Sequence, residues 1–152
     1  MGILFVDRLL QIGDLFQRDM ARAFAGTDLT PTRVHLLWVL QHSGPSTQQT
    51  LATLCEVTPR NITGLVDALE DAGFVARAPH PTDRRATIVS LTTIGETTMS
   101  NMARDHAALS SELMETVEPA DRAGFSRGLE AIAVRLRGLV QAASDAERKD
   151  DE

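Results

Sequence analysis

Between residues 3 and 24, Leu9, Ile12, Phe16, Met20 and Phe24 recur at spacings of three and four. That spacing predicts an amphipathic helix with one apolar stripe, ended by Gly26 and Asp28. Thr30-Pro31 predicts a second helix, with threonine as N-cap, proline at the first helical position, and Val34, Leu37, Trp38 and Leu40 as its buried side. Ser43-Gly44-Pro45 breaks it. A third, short helix follows, capped by Ser46 or Thr47. Ser46 with Gln49 fits a capping box, and Leu51, Ala52 and Cys55 line the inner face. After a tight turn at Glu56-Val57, Thr58-Pro59 repeats the cap-then-proline start. Ile62, Leu65, Val66 and Leu69 then fall at i, i+3, i+4 and i+7, one face of a fourth helix. Its other face leads with Arg60, Asn61, Thr63 and Gly64.

The period then changes. Asp71-Ala72-Gly73 ends the helix. Phe74-Val75-Ala76-Arg77 and the β-branched run Thr87–Leu91 read as two short strands. Between them lies a loop stiffened by Pro79 and Pro81, with His80, Thr82 and Asp83, ending in Arg84-Arg85-Ala86. Two short helices joined by a tight turn, the second polar at its leading edge, form a helix-turn-helix. A hairpin tipped with arginines directly after it completes the outline of a winged helix. Paired arginines on such a loop suit the narrow, negative minor groove.

Thr92 or Thr93 caps a long helix through about Glu118, with Thr93 and Glu96 as a capping box and Met99, Met102, His106, Leu109, Leu113 and Val117 as its stripe. Pro119 opens the last helix. There Phe125, Leu129, Ile132, Leu136 and Leu139 form a heptad-like seam that wants a partner helix. Residues 144–152, polar and acidic, are expected to be a disordered tail.

Charge modifies this picture without overturning it. The net charge is −6, and the tail supplies three of those six charges. Lys149 is the only lysine, so nearly all positive charge is arginine, whose planar fork suits phosphates and guanine edges. Cys55 is the only cysteine, which excludes an intramolecular disulfide and favours the cytoplasm. It reads as a small buried hydrophobe. No apolar run reaches membrane-spanning length. His35, His42, His80 and His106 are scattered, so no metal is expected. No nucleophile–base pair or phosphate-cradling glycine loop is present, so an enzyme and a cofactor are not expected either.

The residues resemble the MarR family of winged helix-turn-helix bacterial transcription regulators. The resemblance rests on Leu29-Thr30, Gly44-Pro45-Ser46-Thr47, Leu51-Ala52, Val57-Thr58-Pro59, Ile62-Thr63, Leu65-Val66-Asp67, Leu69-Glu70 and Gly73-Phe74-Val75. It also rests on the wing signature Asp83-Arg84-Arg85-Ala86, Ile88-Val89 and Leu91-Thr92-Thr93-Ile94-Gly95. It implies a mainly α fold with a small β-hairpin wing. A winged helix-turn-helix DNA-binding domain would occupy residues 29–91, and residues 1–28 and 92–143 would form a discontinuous helical dimerisation region. The function it implies is a cytoplasmic homodimeric repressor of an inverted-repeat operator in double-stranded DNA, released by a small aromatic or phenolic effector. The implied DNA-binding residues are Thr47, Thr58, Arg60, Asn61, Thr63, Asp83, Arg84 and Arg85, with Asp83 holding the wing arginines. His35 and Trp38 would line the effector site. Two positions depart from the family: Gly64 where arginine is frequent, and Glu56 where glycine is. With the acidic balance they support a competing reading, a winged-helix protein-interaction module with little DNA affinity.

Overall fold

The computed structural model describes residues 2–150. The order of elements is α1 (Gly2–Phe24), α2 (Pro31–Ser43), β1 (Ser46–Thr47), α3 (Gln48–Leu54), α4 (Pro59–Asp71), β2 (Val75–Pro79), β3 (Thr87–Leu91), α5 (Thr93–Glu115) and α6 (Arg122–Asp150). The fold is mainly α with a small antiparallel sheet of order β1-β3-β2, a winged helix-turn-helix. The chain divides into two compact units, residues 1–103 and 104–152.

In the first unit the core is built by α2, α3, α4 and the sheet. Leu36, Leu37, Leu40, Leu51, Ile62, Val66, Leu69, Val75 and Val89 are all but sealed from solvent. Burial of each such large side chain contributes about 1.5–3 kcal/mol. Leu36 was not among the expected inner residues of α2. The helix is covered on more than one side, so its apolar positions do not form a single stripe. The helix starts follow the sequence closely at Thr30 and Thr58, whose hydroxyls accept the N–H of Arg33 and Asn61.

Two starts left open by the sequence are decided and a third is moved. Ser46 does not form a capping box with Gln49, because it is buried in β1 opposite Val89, and Thr47 caps α3 instead. Thr92, not Thr93, caps α5, accepting the N–H of Gly95 at 3.1 Å. The last helix begins at Arg122 and not at Pro119. Residues 119–121 form a turn, and the Arg122 Nε–H donates to the carbonyl of Val117.

Both helices of the helix-turn-helix end in the same way. After α4, the N–H of Phe74 donates to Leu69 O and that of Gly73 to Glu70 O, with Gly73 at φ 82°. This is a Schellman motif, and glycine takes its left-handed position without strain. After α3, Val57 N–H donates to Ala52 O and Glu56 N–H to Thr53 O, with Glu56 at φ 54°. The turn is the same motif, built on a residue that disfavours it. Gly95 is fixed by contact: a Cβ there would lie 2.2 Å from the Phe74 carbonyl oxygen, which also accepts the N–H of Thr92.

In the second unit, α6 runs to Asp150, so the expected disordered tail from residue 144 is helical over that span. Residues 151–152 lie outside the described residues. Neither glycine nor proline interrupts residues 139–150, and Gln141 bonds Asp145 one turn on. The seam is legible but bare: Phe125, Leu129, Leu136 and Leu139 are roughly half exposed.

Candidate nucleic-acid interface

Helix α4 is anchored by Ile62, Val66 and Leu69, which leaves Arg60, Asn61, Thr63 and Gly64 on its outer face, all exposed. The three candidate threonines are already engaged. Thr47 Oγ1 caps α3 and meets Thr50 Oγ1 at 2.9 Å. Thr58 Oγ1 caps α4. Thr63 Oγ1 donates to Pro59 O and accepts from Gln48 Nε2. These hydroxyls set the geometry of the two helices and keep lone-pair capacity to spare. Gly64 has open space where a Cβ would stand.

The wing is joined to both helices by a residue that sequence reasoning passed over. Arg77 on β2 places NH1 2.5 Å from Glu70 Oε2 and NH2 2.5 Å from Asp67 Oδ1. Its Nε donates to Gln48 Oε1 at 2.9 Å, and its backbone N–H donates to Glu70 Oε1. One guanidinium therefore ties α3, α4 and β2 together. Burial pushes the Arg77 guanidinium down, but hydrogen bonds and charge from Asp67 and Glu70 outweigh it and hold it above the ordinary arginine value. The signal was present in Asp67 and Glu70, spaced for one helix face, and in an arginine at the third position of the following strand.

The wing tip is ordered from within. Asp83 Oδ1 accepts the backbone N–H of Arg85 at 2.9 Å, so Asp83 holds the main chain of the wing and not a guanidinium. His80 Nδ1 accepts the N–H groups of Asp83 and Thr82. Arg84 and Arg85 are exposed, and their guanidiniums, like that of Arg60, have no hydrogen-bond or ion-pair partner among the described residues. The region thus combines two carboxylates sharing one cation with three unpaired arginines, a charge distribution suited to a polyanion.

Neither His35 nor Trp38 lines the apolar recess of the first unit. His35 is exposed, and Trp38 is half-buried beside the ring of His42, 5.8 Å between centroids. That recess, of about 500 Å³, lies where α1 meets the start of α2, lined by Met20, Phe24, Leu29 and Pro31 among others. Cys55 is half-buried at the end of α3, and burial pushes its thiol up, away from reactivity. Among the described residues, no helix is long and apolar enough to cross a membrane, and no cluster of three or more His, Cys, Asp or Glu could hold a metal ion.

Comparison with known proteins agrees with this geometry. Residues 29–87 match the family model described as the MarR family. The chain is 30% identical over 132 residues to the HTH-type transcriptional repressor YetL of Bacillus subtilis, a match covering 84% of this chain and 78% of that protein. It is 33% identical over 91 residues to the uncharacterized HTH-type transcriptional regulator YdcH of the same organism. That stretch is 57% of this chain and 62% of YdcH, less than two thirds of its length. In backbone, Streptococcus pneumoniae FabT, solved in complex with DNA, matches with a TM-score of 0.83 at 20% identity, over 91% of this chain and 99% of that one.

Proposed function

This chain belongs to the MarR family, and on that premise we propose that it is a homodimeric, sequence-specific DNA-binding transcription regulator. It represses from an inverted-repeat operator and leaves it when a small effector binds. The observation that carries this reading is the charge pattern of the winged helix. Arg60, Arg84 and Arg85 are exposed and unpaired among the described residues, while two α4 carboxylates, Asp67 and Glu70, are held by Arg77. Helix α4 enters a major groove, with Arg60, Asn61 and Thr63 toward base edges and phosphates and Thr47 and Thr58 beside the backbone. The wing sends Arg84 or Arg85 into the flanking minor groove. FabT, matched in fold, was solved on DNA, and YetL is a repressor.

A dimer is supported by the bare apolar faces. On α1, Leu4, Leu10 and Leu15 are more than half exposed, and on α6 four of the five seam residues, Phe125, Leu129, Leu136 and Leu139, are about half exposed. A second copy covers both, so residues 1–28 and 92–143 serve as the dimerisation region. Two α4 helices then read successive major grooves, about 34 Å apart. The apolar recess at Met20, Phe24 and Leu29 fits a small aromatic or phenolic effector, which acts by shifting the population of dimers with operator-matched spacing. The test is the wing: Arg84→Ala and Arg85→Ala each weaken operator binding by about 1–3 kcal/mol without changing thermal stability. Equal binding by both variants would refute the wing's role.

A further inference from the structure

The loop that presents Arg84 and Arg85 is folded around a histidine. His80 is half-buried, and its Nδ1 accepts the backbone N–H of Asp83 at 3.0 Å and of Thr82 at 3.2 Å, with Thr82 Oγ1 at 3.4 Å. A backbone N–H can only donate, so Nδ1 carries no proton, and the neutral ring bears its proton on Nε2. The main chain closes around this point. His80 N–H donates to Ala86 O, Ala86 N–H to Asp83 O, and Asp83 Oδ1 accepts the N–H of Arg85. A continuous set of hydrogen bonds therefore runs from the imidazole to the backbone of Arg85.

We propose that His80 is a positioning residue for Arg84 and Arg85, and that it holds the wing only while Nδ1 is unprotonated, so that mild acid loosens the wing and weakens DNA binding. This rests on the DNA-binding reading above and adds a regulation to the same site. Imidazole is the side chain suited to change charge between pH 5 and 8. A proton on Nδ1 faces two N–H donors, and both bonds are lost. The sign opposes plain electrostatics, in which an added positive charge near DNA tightens binding. The charged groups on the surrounding elements are Asp83, Arg84 and Arg85 in the loop and Arg77 on β2, the last held by Asp67 and Glu70 of α4. Strands β1 and β3 carry none. Asp83 is the one carboxylate in the loop, and it is engaged with the N–H of Arg85.

The experiment uses the full chain and a duplex from upstream of its own coding sequence. Binding of the parent, His80→Asn and His80→Ala is measured by anisotropy at pH 7.5 and 5.5 at constant ionic strength. Asparagine can accept an N–H two residues on and does not titrate. The parent should lose roughly five- to tenfold in affinity on acidification relative to His80→Asn, the scale of one or two neutral hydrogen bonds. His35, His42 and His106 are present in both proteins, and any contribution from them cancels in that ratio. At pH 7.5 His80→Ala should bind weakly and His80→Asn near the parent, a rescue that the loss of bulk alone does not give. In parallel, nitrogen-15 NMR of the free protein follows the His80 imidazole and the amides of Thr82 and Asp83, which should shift together. If His80 titrates while both amides stay still, or if the parent and His80→Asn share one pH profile, the proposal is overturned. If the amides move but no duplex is bound at any pH, the DNA-binding reading falls, and the coupling to binding with it.

Discussion

Replacing Arg77 by methionine removes the guanidinium while keeping most of the apolar stem. Bonds to Gln48, Asp67 and Glu70 are lost, and the Glu70 carboxylate keeps only the backbone N–H of residue 77. Hydrogen bonds to charged groups contribute about 1.5–3 kcal/mol each when well sheltered. Here the Arg77 side chain is 22% exposed, but Asp67 and Glu70 are 57% and 39% exposed, so water rehydrates them once they are released. Screening on that scale reduces the total to about 1–2.5 kcal/mol. For a chain of this length that corresponds to roughly 3–8 °C in Tm. Lysine in its place keeps the charge but not the fork, and should recover part of the loss. A second consequence is electrostatic. The substitution removes one positive charge, and at about 10 Å from phosphates through water that costs about 0.4 kcal/mol, so operator binding should weaken about twofold. Thermal unfolding by circular dichroism and anisotropy on the operator read the two effects separately. An Arg77→Met protein melting within about 1 °C of the parent would refute Arg77 as the tie between α3, α4 and β2.

Other substitutions test other parts of the structure. Glu56→Gly, at the left-handed turn between α3 and α4, should stabilise by about 0.5–1 kcal/mol in urea unfolding, because glycine takes φ 54° without strain. Gly95→Ala should destabilise by about 1–3 kcal/mol, since the new Cβ meets a backbone oxygen that cannot move alone. Leu136→Asp, half exposed within one chain, should leave the helix content intact and yield monomers in sedimentation; an unchanged dimer would remove the α6 seam from the interface.

The helical frame of the first unit was legible because its punctuation is chemical. Thr30-Pro31 and Thr58-Pro59 open helices, Gly44 and Gly73 sit where positive φ is needed, and the β-branched run of β3 has its bounds as expected. Strand β1 was not legible. Two residues carry no periodicity, and Ser46 earns its place only by pairing with Val89, 43 positions away. Thr92 and Thr93 offered equivalent caps for α5, and packing settles the choice on Thr92, while α6 starts at Arg122, three residues past the expected Pro119. The Arg77 tie was hidden for the same reason: Gln48 and Arg77 are 29 residues apart and meet only once the hairpin folds back. Within the wing, the Asp83-Arg84-Arg85 pattern was plain, but the role of His80 was not, since a lone histidine in a loop shows nothing of what its ring nitrogens accept.

The most direct test of the central claim is anisotropy of the protein on labelled DNA from upstream of its own gene, titrated with salt beside a scrambled duplex. Three unpaired arginines on each of two subunits predict selective binding whose log affinity falls against log salt with a slope of about −5. Weak binding, equal on both duplexes and insensitive to salt, would contradict it.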